Sequence, residues 1–372
     1  MLLLTSGIEK RKADHIEIAT KEQVNTIRSS GFNDVQLVHL ALPEINRADI
    51  DLSIDLFGKK MMAPIIIESM TGGTEIAEKI NGILATGAEN NGLAMGVGSQ
   101  RAAIEKPELQ YTYKIVRKNA PNALIFANIG CPQLMSGYGI KEVKTAIEMI
   151  DADAIYIHLN ALQESVQVEG ETDFLGVLLK IRDIAQAVGI PVLAKETGAG
   201  IGKEVAIALE KAGVSGIDVS GVGGTTWSGV EYYRAKEKNS RLQMRLGETF
   251  WDWGVPTVAS IVEVGLSTKV KLIASGGVRN GLHVAKSLAL GADVAGFARP
   301  ALEAAVNGIE PLEEMLTQTI EELRTAVFLS GSKNLNGLKN TPLVIGGESL
   351  QWLTQRGFDI QHFAKRSGQT TG

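Results

Sequence analysis

Cysteine is almost missing from this chain: Cys131 is the only one among 372 residues. No intrachain disulfide can form, and a reducing, cytoplasmic setting is expected. No apolar run approaches the ~20 residues that span a bilayer. The opening Met1-Leu2-Leu3-Leu4 is too short for a signal-peptide core, because Thr5, Ser6 and Glu9 follow at once. Positive charge is not in excess: the formal net charge is −5. No dense Lys/Arg patch with interleaved aromatics occurs, so neither nucleic acid nor a membrane is an expected partner. Low-complexity linkers are also absent, which argues against a second domain.

What is present is apolar content of 44% and 41 glycines, which suits an enzyme-like core with many tight turns. The length suffices for one large α/β barrel or two ordinary domains. From residue 63, short apolar runs alternate with helical periodicity. The runs are 63–69, 94–98, 123–128, the first half of 154–164, 191–196, 216–220, 270–275 and 292–298. Helical patterns fill 75–91, 108–119, 139–150, 173–188, 202–213 and 280–290. The sixth crossover, 226–268, is long and carries Trp227, Trp251 and Trp253. Eight strands with seven crossovers predict an α/β fold, a (β/α)8 TIM barrel with an N-terminal extension and C-terminal helices. Near-continuous apolar strands are expected where both faces are covered. Residues 1–62 read as an N-terminal arm and collar over the barrel, 63–340 as the barrel, closed by helices at 300–340, and 341–372 as a C-terminal tail.

The stretch Ala154-Ile155-Tyr156-Ile157-His158-Leu159-Asn160-Ala161-Leu162-Gln163-Glu164 carries the densest chemistry. Its apolar half is a buried strand, and polar groups at the carboxyl end of a barrel strand face the ligand site. His158 and Asn160, two apart, point to one side, with Gln163 and Glu164 in the loop above. Amide, imidazole and carboxylate together suit an oxygen-rich anion and a hard cation such as Mg2+. Taken singly, each is as well explained by a solvated strand end. Ser275-Gly276-Gly277-Val278-Arg279 after strand seven and Phe297-Ala298-Arg299 after strand eight stand where barrels bind phosphate. Glycines there let backbone N–H groups approach an anion, although a tight turn explains a Gly pair equally well. Gly223-Gly224-Thr225 after strand six can add donors. Lys195 ends strand five and can hold a negative charge on a cofactor, or pair with Glu196 or Asp218. Ser69, Thr71, Ser99 and Asn128 end strands one to three as neutral hydrogen-bonding groups of the kind a flat heteroaromatic ring needs, or as ordinary strand caps. Arg101 and His158 can join Arg11, Lys12 and His15 around a second anion, unless 5–20 is a frayed terminus. Trp227 and Glu231, four apart, share a helical face.

Met70-Thr71-Gly72-Gly73, Gly96-Val97-Gly98-Ser99-Gln100-Arg101, the His158–Glu164 stretch, Lys195-Glu196 and Ser275-Gly276-Gly277-Val278-Arg279 occur in that order. With Arg11-Lys12-Ala13-Asp14-His15 they make the chain, over roughly residues 8–335, resemble the type 2 isopentenyl-diphosphate isomerase family. The resemblance implies an FMN barrel that interconverts isopentenyl and dimethylallyl diphosphate. Reduced flavin, Mg2+ and NADPH as reductant are implied with it, in a net redox-neutral reaction, as is a homotetramer or homo-octamer. It implies flavin contacts from Ser69, Met70, Thr71, Ser99, Asn128, Lys195, Ser220 and Thr225. Gly276, Gly277, Arg279, Ala298 and Arg299 would surround the flavin phosphate. Arg11, Lys12, His15, Arg101, His158, Asn160 and Gln163 would hold the diphosphate, Glu164 the metal, and Trp227 and Glu231 would lie near the allylic end. Gln163, Lys195 and His158 are then the candidates closest to the chemistry. An amide is a poor acid or base at neutral pH, so Gln163 is expected to position.

Two rivals remain. One is another FMN barrel: a 2-hydroxy-acid oxidase wants a His base after a later strand, and no His lies between His158 and His283, while a nucleotide dehydrogenase of the covalent type wants a Cys after strand six, and the only Cys, Cys131, follows strand three. A non-catalytic phosphometabolite-binding barrel has no use for so many polar strand ends.

Overall fold

The computed structural model describes residues 7–367, and in it eight parallel strands close into a barrel. They are β1 (Ile65–Ile67), β2 (Ala94–Gly96), β3 (Leu124–Gly130), β4 (Ala154–Leu159), β5 (Val192–Glu196), β6 (Gly216–Asp218), β7 (Lys271–Ala274) and β8 (Val294–Phe297). Spatial order follows chain order, and β8 closes on β1 with Gly296 opposite Ile66. The expected (β/α)8 barrel is the observed one.

The two-residue period of a strand decides what reaches the site. Ile65 and Ile67 join the outer core under the helices, whereas Ile66 packs inside with Ala94, Phe126, Tyr156, Leu193, Ile273 and Val294. Phe126 and Tyr156 stack there at 4.7 Å and 15°. One further step of two along β1, β3, β4 and β5 places Glu68, Asn128, His158 and Lys195 in the cavity at the carboxyl ends.

The amino end is closed by the hairpin of Ile54–Leu56 and Lys59–Met61, which buries Leu56 and Met61 against the barrel interior. Its turn residues Phe57 and Gly58 both have positive φ, 52° and 79°, the turn that matches strand twist. The sixth crossover contains three helices, Trp227–Glu237, Arg241–Thr249 and Thr257–Ser267. The expected tail is built into the body as far as residue 367. Leu343–Ile345 pairs antiparallel with Val35–Leu37, Trp352 and Arg356 both donate to Glu263, and Phe363 is buried. No described helix is long and apolar enough to cross a membrane.

The expected arm is a helix, Gly7–Lys21, laid across the carboxyl end of the barrel; Thr5 and Ser6 lie outside the described residues. Gln163 and Glu164 stand not in a loop but on the short helix Ala161–Val166, which starts straight after β4. Asn160 is therefore the residue that begins this helix rather than part of the strand.

Candidate active site

One cavity at the carboxyl ends gathers the expected site residues from every part of the chain. All of them line it except Glu231, which lies behind Gln163 and His15 at 1% exposure. The cavity has two cationic ends.

The first end is made by the loops after β6, β7 and β8. Gly276 and Gly277 have φ of 96° and 70°, and a Cβ on either would overlap the backbone of Gly221 or Gly223. A Cβ on Gly224 would come within 2.7 Å of the Gly277 nitrogen. These loops therefore present bare backbone, as a phosphate cradle requires. Arg279 and Arg299 each donate to the Asn25 amide oxygen at 3.2 Å. Burial, then the neighbouring Arg299 charge, lowers the Arg279 pKa. The helix Arg299–Val306 begins at Ala298 with no side-chain cap, so its first N–H groups remain open to an anion.

Between the ends, Ser69 and Thr71 have buried hydroxyls without a partner. Lys195 does not pair with Glu196. Its ammonium donates to Glu68 at 2.7 Å and to Asp218 at 2.5 Å. Burial opposes its charge, but the Asp218 and Glu68 carboxylates outweigh that and raise its pKa above the ordinary lysine value. Glu196 instead accepts from the backbone N–H groups of residues 197–200.

The second end joins the arm to β4. The Lys12 ammonium donates to the Ser99 carbonyl at 2.8 Å and to the Tyr113 hydroxyl, and Tyr113 donates to the same carbonyl. Burial, with Arg11 close by, brings the Lys12 pKa down to about 7. Arg101 reaches the cavity while held by Glu105 at 2.8 Å and Glu171 at 3.0 Å. His158 Nδ1 lies 2.7 Å from the Asn128 side-chain amide oxygen, which can only accept. The proton is therefore on Nδ1, and Nε2 is left as an acceptor. Burial, then Lys195 and Lys12, pushes the His158 pKa down to about 4, so the ring is neutral at pH 7. Glu164 accepts from Asn160 at 2.8 Å through Oε1 and from the Glu171 N–H at 2.7 Å through Oε2. Burial raises its pKa.

Glu231 accepts from Gln163 at 3.1 Å and meets His15 at 3.0 Å. His15 in turn stands edge-on to Trp227, with ring centroids 5.0 Å apart. Behind Glu231, the buried Arg234 donates to it at 2.5 Å and to Glu169 at 2.5 Å, and lies 3.8 Å from Asp14 of the arm. Sequence reasoning missed Arg234, Glu68 and Tyr113. The spacing of Glu231 and Arg234, three apart on one helix, and the inward parity of Glu68 were available signals. Nothing local pointed to Tyr113. Trp251 and Asp252 secure the segment after the arm: the indole donates to the Asn25 carbonyl, and the carboxylate accepts from Ile27 and Arg28.

A parallel eight-stranded barrel with an anion cradle after its last strands and a polar cavity over its centre is a (β/α)8-barrel enzyme. Residues 170–344 match the FMN-dependent dehydrogenase family model. A lactate oxidase from Pediococcus acidilactici superposes with a TM-score of 0.65 at 19% identity, covering 91% of this chain and 94% of that one. A mandelate oxidase variant superposes at 0.61 and 16%, covering 90% and 92%. These likenesses concern the fold. In sequence, the chain is 50% identical to an isopentenyl-diphosphate delta-isomerase of Pyrococcus furiosus, over 96% of this chain and 91% of that protein. It is 48% identical to one of Methanosarcina acetivorans, over 95% and 97%. The chain belongs to the isopentenyl-diphosphate delta-isomerase family.

Proposed function

We propose that the protein interconverts isopentenyl and dimethylallyl diphosphate, with FMN in its reduced form and Mg2+ bound. The observation that carries this reading is that two cationic groups, Arg279 with Arg299 and the arm with Arg101, line one cavity. One suits the phosphate of FMN, the other the diphosphate of the substrate.

The residues present fit FMN. Gly276, Gly277, Arg279, Ala298 and Arg299 would hold its phosphate. The partnerless hydroxyls of Ser69 and Thr71, with Met70, Ser99, Asn128, Ser220 and Thr225, would meet its ring and chain. When bound and reduced, FMN supplies an electron-rich ring that can move a proton between two allylic carbons. Lys195 favours negative charge on that ring. Arg11, Lys12, His15 and Arg101 grip the diphosphate through charge-assisted hydrogen bonds. Asn160 and Gln163 orient it, and His158 lies beside it. Trp227 walls the hydrocarbon end, and Glu231 fixes Gln163 from behind.

The residues also fit Mg2+ shared with a ligand. Glu164 is a carboxylate facing the cavity, and the buried Asn160 side-chain amide oxygen beside it has no partner. Among the described residues no three His, Cys, Asp or Glu side chains gather around one point, so the remaining ligands would be diphosphate oxygens and water. NADPH as reductant, a cytoplasmic setting and a homotetramer or homo-octamer belong to the same reading. The exposed Leu175 and Leu179 offer apolar surface for such an assembly.

The test is an absorbance spectrum followed by anaerobic turnover of isopentenyl diphosphate before and after reduction with dithionite or NADPH. A yellow protein that isomerises only once reduced is expected. A yellow protein that oxidises 2-hydroxy acids and does not isomerise would refute the reading.

A further inference from the structure

Three ionisable side chains from three strands meet at the centre of the barrel mouth. Glu68 follows β1, Lys195 lies on β5 and Asp218 ends β6, at 3%, 5% and 0% exposure. Lys195 bridges the two carboxylates, and the Ser275 hydroxyl donates to the second Asp218 oxygen at 2.5 Å. Both Asp218 oxygens are thus bonded, whereas Glu68 Oε1 is buried without a partner, and Glu68 lines the cavity. Two carboxylates against one ammonium leave a surplus negative charge, and a buried surplus charge is resolved by binding a proton. Glu68 Oε1 is the oxygen free to take it. Burial, then the Asp218 charge, pushes the Glu68 pKa up to about 8 against the pull of Lys195. From β4, the Tyr156 ring lies 5.3 Å from the Lys195 ammonium, and its hydroxyl has no partner. Burial holds that phenol neutral, so it does not compete. From β8, Gly296 brings only backbone, and a Cβ there would overlap the Glu68 carboxylate.

We propose that Glu68 is a positioning residue that matches the charge of this cluster to the charge of the ring lodged against Lys195, taking up a proton when that ring gains negative charge. The inference rests on the FMN reading above. Two electrons and one proton from the reductant and solvent go to the ring, which becomes a reduced anion. Above about pH 8, where Glu68 is ionised before reduction, a second proton, from solvent, goes to Glu68 Oε1; below it Glu68 already holds that proton. Lys195 then faces the ring and Asp218 alone, and the sum of buried charge is unchanged.

The experiment is an equilibrium redox titration of the FMN-loaded protein, with mediator dyes, from pH 6 to pH 9. Each proton taken up with two electrons contributes about 30 mV per pH unit, because a tenfold change is about 29.6 mV for a two-electron couple. In the wild type the slope should rise from the one-proton to the two-proton value as pH passes about 8. Glu68→Gln keeps an oxygen for Lys195 and loses the titration, so its slope should stay at one proton. Any protonation change of the ring itself is carried by both proteins, so the rise assigned to Glu68 is the difference between the wild-type and Glu68→Gln profiles. A wild-type line that stays at one proton, or a profile shared by both proteins, overturns the proposal. Should Glu68→Gln fail to fold, electrochemical reduction of the wild type at pH 9 in weak buffer decides. Nearly two protons taken up per flavin support the proposal, and one overturns it. A wild type that binds no FMN overturns the cofactor reading as well; a flavin-loaded wild type with a one-proton line overturns this inference alone.

Discussion

Replacing Gly276 by alanine tests the anion cradle directly. Gly276 sits at φ 96°, where an L side chain is strained by roughly 1–3 kcal/mol. The new Cβ would also overlap the carbonyl and N–H of Gly221, both of them backbone. Gly221 is itself tied to the Ser275 carbonyl at 3.0 Å, and the Gly276 carbonyl accepts from Thr257 at 2.7 Å. Neither loop can swing aside freely, so the two must part. Parting them withdraws an N–H group from a bound phosphate, at about 1.5–3 kcal/mol for a bond to a charged group. At about 1.4 kcal/mol per tenfold, the FMN dissociation constant should rise on the order of 10- to 100-fold. Quenching of flavin fluorescence, titrated at fixed ionic strength, measures it. Gly291→Ala is the control: φ there is 121°, but nothing lies within 4 Å of the new Cβ. It should lower Tm and leave FMN affinity alone. If Gly276→Ala bound FMN as tightly as Gly291→Ala does, the glycine loop would not be the cradle.

Three further outcomes are expected. Arg234→Met strands the Glu231 charge at 1% exposure and should cost about 3–5 kcal/mol in urea unfolding, most of it recovered by adding Glu231→Gln; a loss below about 1 kcal/mol would contradict the buried network. If Arg11 of the cavity lining holds the diphosphate as proposed, Arg11→Ala should raise KM about tenfold or more with FMN content unchanged, whereas an unaltered KM would remove the arm from the site. Burial, then the Lys286 charge, lowers the His283 pKa from 6.5 to about 4. The unfolded chain therefore binds this proton more readily, and the stability the neutral ring contributes, present above pH 6.5, is lost as pH falls towards 4. His283→Phe, which keeps the stacking on Phe32, should flatten the fall of Tm across that window, and equal slopes in the two proteins would refute the assignment.

The barrel was legible because its signal is repeated eight times and each repeat is local: a short apolar run, polar strand end, turn residue and helical period. The cavity was legible for the same reason, since each strand announces its own tip. What was illegible lies between repeats. Lys195 could be placed at a strand end, but the choice of Glu68 and Asp218 over Glu196 depends on which strand tips face one another. It also depends on Glu196 turning back onto the N–H groups of 197–200. The helix Ala161–Val166 was read as loop because one and a half turns carry too little periodicity to register. The segment 341–372 was read as a tail because its strand is three residues long and its partner, Val35–Leu37, lies some 300 residues earlier in the sequence.

On the proposed function, the order of the arm and the binding of the diphosphate would be coupled. A 15-residue helix has little stability of its own in water. This one buries Ile18 against Val24 and Val230, packs Ile16 and Ala19 against the main core, and adds polar contacts. Lys12 reaches Ser99 and Tyr113, His15 reaches Glu231, and Asp14 lies near Arg234. Of these, the Lys12 ammonium is weakened by its own burial and by Arg11 beside it. A diphosphate between Arg11 and Lys12 would turn that repulsion into attraction. The free energy that orders the arm and the free energy that binds the substrate are then parts of one quantity.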